Sequence, residues 1–407
     1  MAIQVKFPKL EEWQQPVFDD IRDGVYDIYV VKAKRQVGKS ILAEVCVLYK
    51  AAMTAGSISV IVEPTLAQGR RVYKQLLKSL GGETSDIIKS ANATLLEIEL
   101  YNGSQILFKA AEQRENLRGI TVKMGLLVID EAAYIQDDIF SILYPTVDAT
   151  KSPILIVSTP LFTSGEFYAR YVEGIGGRGF VKSYDWSEYD TSKYLSQEKL
   201  DYYRERLSPL RFRSEYLGEF ITEGSYVFGN LDRVIGDYSV KPAVYGGIDW
   251  GNGGENDYTV LMLLDEDGSV VAIHSFNNVS PVEQVERLAG IIGGLGLKVL
   301  EVELNSIGTV YYDMLQQRVG VDMVGFTTTN ESKRRIIEQL IGAVQRGEIT
   351  IPDDPELLRE LRHFNIEKTK TGYTYNGVGT HDDYVLALAF AYDAFLNGYG
   401  NFEIMFA

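Results

Sequence analysis

The chain carries one cysteine, Cys46, and three histidines, His274, His363 and His381, in 407 residues. A lone cysteine closes no internal disulfide, and so small a supply of thiol and imidazole excludes a Cys/His zinc site. Any metal is therefore expected on oxygen ligands. Positive charge is scarce as well: 40 Lys and Arg face 56 Asp and Glu, a net charge of −16. That balance excludes a protein that coats nucleic acid by bulk charge, so contacts to such a partner would be local and shared between subunits. Long apolar runs are missing too. The stretch that most nearly imitates a membrane span, Ile41 to Ala55, is short and interrupted by Glu44 and Lys50. The first residues, up to Trp13, lack the charged region and apolar run of a secretory signal. A soluble cytosolic protein with no membrane segment is expected.

Hydrophobic residues make up 45% of the chain and charged residues 24%, enough for ordinary cores, and the length suggests two or three domains. From Ile28 to about Pro160, β-rich runs alternate with helical segments, which predicts an α/β domain with a mainly parallel sheet of roughly five or six strands. Residues 93–109 read as a hairpin turning at Asn102-Gly103. Glycine, tyrosine and charge dominate from Gly165 to Phe220, with short amphipathic helices at Gln197–Arg206 and Pro209–Gly218, as in a small lid. The expected division is a core at 1–164, a lid or bridging segment at 165–225, a linker at 226–242 and a second domain at 243–407. That second domain opens with a three-strand meander and continues with alternating helices and strands, the order of a ribonuclease-H-like fold.

Between the strand at Ile28–Lys32 and the following helix stands Ala33-Lys34-Arg35-Gln36-Val37-Gly38-Lys39-Ser40. A loop there presents backbone N–H groups to phosphate oxygens, Lys39 to the terminal phosphates of ATP and the Ser40 hydroxyl to Mg²⁺. Ala33 stands where such loops carry their first glycine. Farther on, the apolar run Met124–Ile129 ends in Asp130-Glu131. Two carboxylates closing a buried strand are hard to explain by packing. Asp130 is expected to hold the waters of the metal beside Ser40, and Glu131 to polarise the attacking water. Ser158 and Thr159, ending the next strand, are either γ-phosphate sensors that couple hydrolysis to motion or strand-end turn residues. Arg118 is an arginine finger for a neighbour's ATP or a solvated loop arginine. Gln14 or Gln15 offers an amide to adenine, although glutamines are also common on exposed helices.

In the second half, Asp249 ends the first strand of the meander, where a carboxylate needs a partner, most economically a cation. Glu301 and Glu303 fall on one face of a later strand, and alternation does not choose between them. Asp382 and Asp383 open the last helix, a position that favours carboxylates as caps even without a metal. Three separated carboxylate positions fit two Mg²⁺ or Mn²⁺ ions about 4 Å apart, the arrangement for in-line phosphodiester hydrolysis. Asp257 could add a ligand or simply make a turn, and His381 could steer protons.

Taken together, these motifs resemble the large terminase subunits of tailed bacteriophages over nearly the whole chain. The matching residues are Lys34–Ser40, Leu117-Arg118-Gly119, Leu127–Ala132, Ser158-Thr159-Pro160 and Glu215–Phe220, then Asp249, Val302–Asn305 and His381-Asp382-Asp383. The resemblance implies an ASCE-type P-loop ATPase joined to a two-metal endonuclease, and it favours Glu303 over Glu301. It also implies a ring of five subunits on the portal protein of the procapsid, or a monomer in solution, that translocates double-stranded DNA selected by a small terminase subunit. Its place would be the host cytoplasm, outside the mature virion. The competing readings are a helicase-like ATPase/nuclease of repair, which needs a second RecA-like domain, and an ATP-gated DNA clamp with a silent nuclease.

Overall fold

The computed structural model describes residues 7–82, 85–177, 179–192, 194–229, 231–251, 257–369, 372–379 and 381–398. Within these, two compact units form. The first takes the described residues up to Leu200, Leu210–Glu223 and those within Lys368–Gly372. The second takes Asp201–Pro209, Gly224–Glu367 and the described residues from Tyr373 onward.

The first unit begins with α1 (Gln15–Asp23) and β1 (Ile28–Lys32), followed by α2 (Lys39–Met53), β2 (Ile58–Glu63) and α3 (Leu66–Ser79). Strands β3 (Ile88–Asn92), β4 (Glu97–Leu100) and β5 (Gln105–Ala110) come next, then β6 (Met124–Ile129), α4 (Asp137–Leu143), α5 (Pro145–Asp148) and β7 (Ile154–Ser158). Helix α6 (Gly165–Glu173) and β8 (Val181–Asp185) follow. The strands make an eight-stranded sheet in the order β3-β4-β5-β2-β6-β7-β1-β8, wider than the expected five or six. Two strands escaped the sequence pattern for a physical reason. Strand β3 is largely exposed, and β8, within the segment expected to be a lid, is an edge strand with one fully buried residue, Val181, so neither shows a clean apolar alternation. Strand β8 instead pairs in parallel with β1. The sheet buries one face around Leu42, Cys46, Ile61, Leu126 and Val128, and the other around Val30, Val60, Val62, Leu127, Ile129 and Phe140.

Helix α7 (Gln197–Arg206) has the expected bounds, whereas the predicted helix over 209–218 is α8 (Pro209–Phe212) running into one π turn, Arg213–Leu217, closed by left-handed Gly218. Residues 226–242, expected as a linker, include β9 (Ile235–Gly236) and buried Leu231 and Val234.

The second unit is built on β10 (Tyr245–Asp249), β11 (Thr259–Leu264), β12 (Val270–Phe276), β13 (Val299–Glu303) and β14 (Asp322–Phe326), in the order β12-β11-β10-β13-β14. The first three pair antiparallel, while β13 joins β10, and β14 joins β13, in parallel. Helices α9 (Pro281–Ile292) and α10 (Gly308–Gln316) precede α11 (Asn330–Arg346), β15 (Ile351–Pro352), which pairs with β9, and α12 (Pro355–Arg362). A two-stranded sheet of β16 (Phe364–Thr369) and β17 (Gly372–Gly377) then leads to α13 (Asp383–Asn397). The sequence pattern did not anticipate α12, β16 or β17. Helix α13 lies so close on β10 that a Cβ at Gly247 would meet Ala391 N at 2.2 Å. Only glycine admits that approach, which carries the acids of α13 to those of the sheet.

Candidate active sites

In the first unit, β1 feeds residues 33–38 into the N-terminus of α2. Ala33 tolerates its Cβ because its φ is not positive; the left-handed positions are Gln36 (φ 61°) and Gly38 (φ 85°). At Gln36 that conformation costs about 1 kcal/mol. At Gly38 a Cβ would lie 2.3 Å from Gln14 Nε2. The Gln14 amide donates to Gly38 O at 2.8 Å, and Trp13 Nε1 donates to Val37 O at 3.0 Å, so the region leading into α1 braces the loop from behind. Gln14 is therefore occupied with shaping the loop. Gln15 is exposed and donates to Asp19. Lys34 is half-buried, and burial lowers its pKa.

The strand-end acids converge on this loop. Ser40 Oγ lies 3.4 Å from Asp130 Oδ2, and Lys39 Nζ lies 3.5 Å from Glu131 Oε1. Burial and the Glu131 charge push Asp130 up to about 7, against Lys39 and the Ser40 hydrogen bond. Glu131 takes a left-handed backbone (φ 46°). Thr159 Oγ1 donates to its carboxylate at 3.2 Å, and Ser158 Oγ accepts the Ala133 N–H at 3.1 Å. Ser158 and Thr159 therefore fix the acid and the turn that carries it.

Sequence reasoning missed what holds Arg35. Its guanidinium pairs with Glu215 Oε1 at 2.9 Å while its N–H donates to Glu215 O at 2.7 Å. From the same π turn Ser214 Oγ donates to Pro160 O at 2.5 Å, so one turn touches both the loop at residues 33–38 and the chain just past β7. Arg118 makes none of these contacts. It is exposed and its ion pair is to Glu115, at 3.8 Å.

In the second unit Asp249 is 5% exposed at the end of β10. Burial raises its pKa well above the usual carboxylate range, helped by the Glu303 and Asp383 charges, a hydrogen bond with Glu303 and the Asp382 charge. Glu303 is thus the β13 acid that meets Asp249. Glu301 lies on the same face but belongs to another network: it hydrogen-bonds Asp393, which in turn accepts from both Arg335 terminal nitrogens at 2.6 and 2.8 Å.

Asp383 Oδ2 accepts the Tyr258 N–H at 2.8 Å. Burial pushes its pKa up to about 6, opposed by that hydrogen bond and by His381, and aided by the Asp257 and Asp382 charges. Asp382 is ion-paired with Lys333 at 2.8 Å. Among the described residues no three acids or histidines close into a ready metal shell, and Asp382 and Asp383 each already have a partner. The expected set of Asp249, Glu303, Asp382, Asp383 and Asp257 is an electrostatic neighbourhood with oxygen donors only. Asp249, buried and hydrogen-bonded to half-buried Glu303, is the acid in it that most needs a cation. Unanticipated supports surround the site. Glu360 of α12 accepts the Tyr384 and Val385 N–H groups at 2.9 and 3.1 Å, capping α13 from outside. Gln284 of α9 accepts from Thr259 Oγ1 at 2.7 Å, and that oxygen accepts the Gly251 N–H at 2.9 Å, fixing the chain just past Asp249.

Residues 26–219 match the family described as phage terminase large subunit, and residues 246–395 match the terminase RNaseH-like domain. The large terminase subunits of Thermus phage G20c and Thermus virus P23-45 are each 26% identical over 410 residues, covering 89% of this chain and 83% of theirs. A solved large terminase from another thermophilic bacteriophage, in complex with ADP, has the same fold. Its TM-score is 0.65 at 15% identity, with 96% of this chain and 100% of that chain covered.

Proposed function

We propose, from the match of this chain to the phage terminase large subunits, with an ATPase domain followed by an RNaseH-like nuclease domain, that it is a DNA-packaging motor that also cuts its substrate. ATP hydrolysis drives double-stranded DNA into the procapsid, and the second unit makes the cuts. The observation that carries the motor reading is the convergence of Ser40, Lys39, Asp130, Glu131 and Thr159 on one loop mouth.

In that site the N–H groups of residues 34–38 and Lys39 bind phosphate oxygens. Ser40 and Asp130, hard oxygen donors 3.4 Å apart, fit Mg²⁺. Glu131 leaves Lys39 when the nucleotide takes the ammonium, and then receives the proton of the attacking water, oriented by Thr159. Arg118, exposed and lightly held, completes a neighbour's site in a ring. Adenine recognition by Gln14 would cost its bond to Gly38 O. In the nuclease unit, Asp249, Glu303 and Asp383 would hold two Mg²⁺ or Mn²⁺ ions, with Asp257 flanking. Such ions supply a nucleophilic hydroxide and charge relief at the leaving oxygen. The partners of this reading are the portal protein, a small terminase subunit and the other copies of the ring, in the host cytoplasm.

The helicase-like reading lacks its second RecA-like sheet, since the second unit has an antiparallel meander instead. The motor is tested by incubating the protein with portal-bearing procapsids, ATP and duplex DNA, and scoring DNase-protected DNA. Protection that requires ATP and disappears in Lys39→Ala supports packaging. ATP turnover without any protected DNA counts against it.

A further inference from the structure

Glu63 closes β2, and no motif marks it. The parallel register of Val62 with Ile129 sets Glu63 beside Asp130, whose N–H donates to Val62 O at 3.0 Å. Ile61 shares one core face with Leu126 and Val128, so strand alternation sends Glu63 and Asp130 to that same face, the face of α2 and Ser40. Glu63 is 2% exposed and its Oε1 has no hydrogen-bond partner among the described residues. Burial, reinforced by the Asp130 and Glu131 charges, pushes its pKa up to about 9. A carboxyl buried without a full set of partners is costly, and an apolar residue of similar size would pack there without that cost.

Glu131 reaches Thr159 at the end of β7, on one flank of β6, while β2 lies on the other flank. We propose that Glu63 is a positioning residue of the ATPase centre: its free Oε1 accepts a hydrogen bond from a water on the Mg²⁺ held by Ser40 and Asp130. The strand ends then divide the work. Glu131 handles the attacking water on the β7 side, and Glu63 fixes the metal's hydration on the β2 side. This rests on the ATPase reading above and adds a residue that the reading does not need.

The test compares Mg²⁺ titrations of N-methylanthraniloyl-ATP binding, with a second series in EDTA, for the full chain and Glu63→Gln. Loss of an outer-sphere partner raises the Mg²⁺ needed for half-saturation about tenfold. Metal-free nucleotide binds equally well, because Glu63 acts only through the metal's hydration. This split between the two series separates positioning from packing, since a merely structural Glu63 would weaken both together. Glu63→Leu supplies the same comparison should the glutamine variant fail to fold. An unchanged Mg²⁺ dependence in a folded variant, or parallel weakening of both series, overturns the proposal. Parent protein whose nucleotide binding ignores Mg²⁺ would instead overturn the metal part of the ATPase reading, and this inference with it.

Discussion

Lys333 Nζ lies 2.8 Å from Asp382 Oδ2 and 3.0 Å from Asn376 Oδ1, with its side chain only 13% exposed. Asp382 is thereby paired with an internal ammonium, whereas Asp383, its neighbour in sequence, has among the described residues a hydrogen bond to a backbone N–H, and its charge acts on Asp249 more strongly than that of Asp382. The two aspartates are expected to differ sharply when mutated. Asp383→Asn should abolish Mn²⁺-dependent plasmid cleavage and weaken Mn²⁺ binding measured by calorimetry. Asp382→Asn should retain both within about tenfold, a loss typical of an outer-sphere partner. Equal losses in the two variants would show that both carboxylates ligate.

The buried acids predict an unusual pH dependence. In the absence of divalent ions Asp383, Asp130, Glu301 and Glu63 have pKa values raised to about 6, 7, 9 and 9. A raised folded-state pKa means that the folded protein binds more protons than the unfolded chain. The associated stability is full below the ordinary carboxylate pKa and is lost as pH rises through the raised values. Thermal midpoints in EDTA should therefore fall between about pH 4 and pH 9, and Mg²⁺ should flatten the decline. Glu301→Gln should narrow it without metal, being at least as stable as the parent at pH 9 and no more stable at pH 4. A midpoint that rises across this interval in EDTA would contradict these ionisation states.

Arg118 predicts complementation. On the proposed trans role, Arg118→Ala keeps the loop of residues 33–40 intact, and Lys39→Ala keeps the arginine. Each alone should lose roughly a thousandfold in portal-stimulated ATP turnover. Mixed on the portal, the two should recover a fraction of it, because a ring would place the arginine of one subunit at the loop of another. Failure of the mixture to exceed either variant would remove Arg118 from the trans role.

Glu360 predicts a structural effect felt at the nuclease site. Glu360→Ala strips the acceptor from two buried N–H groups at the start of α13, costing about 1–3 kcal/mol in denaturant unfolding, and loosens Asp383. Glu360→Gln keeps an acceptor oxygen and should lie nearer the parent. Equal stability of the alanine variant and the parent would show that the cap is dispensable.

Legibility in the sequence followed locality. Residues 33–40 and the run ending in Asp130-Glu131 are contiguous, and their chemistry needs only the strand–loop–helix and strand-end settings that apolar periodicity reveals. The candidate nuclease acids were legible, but alternation placed Glu301 and Glu303 on the same face, and only their partners, Asp393 for Glu301 and Asp249 for Glu303, show which network each joins. Glu360, Lys333 and Gln284 act across elements distant in sequence, so no spacing betrays them. Glu63 belongs to no motif in the sequence, and its place beside Asp130 follows from the register of β2 with β6. Strand β8 and the π turn at Arg213–Leu217 were obscured by polar, tyrosine-rich composition whose burial depends on partners elsewhere.

On the proposed reading, one chain carries two separable chemistries. The most direct measurement is a parallel assay of ATP turnover and Mn²⁺-dependent plasmid cleavage on the parent, Lys39→Ala and Asp249→Ala. Lys39→Ala should lose ATP turnover and still cut, while Asp249→Ala should hydrolyse ATP like the parent and cut no faster than background. Cleavage by Asp249→Ala at the parent's rate would contradict the account.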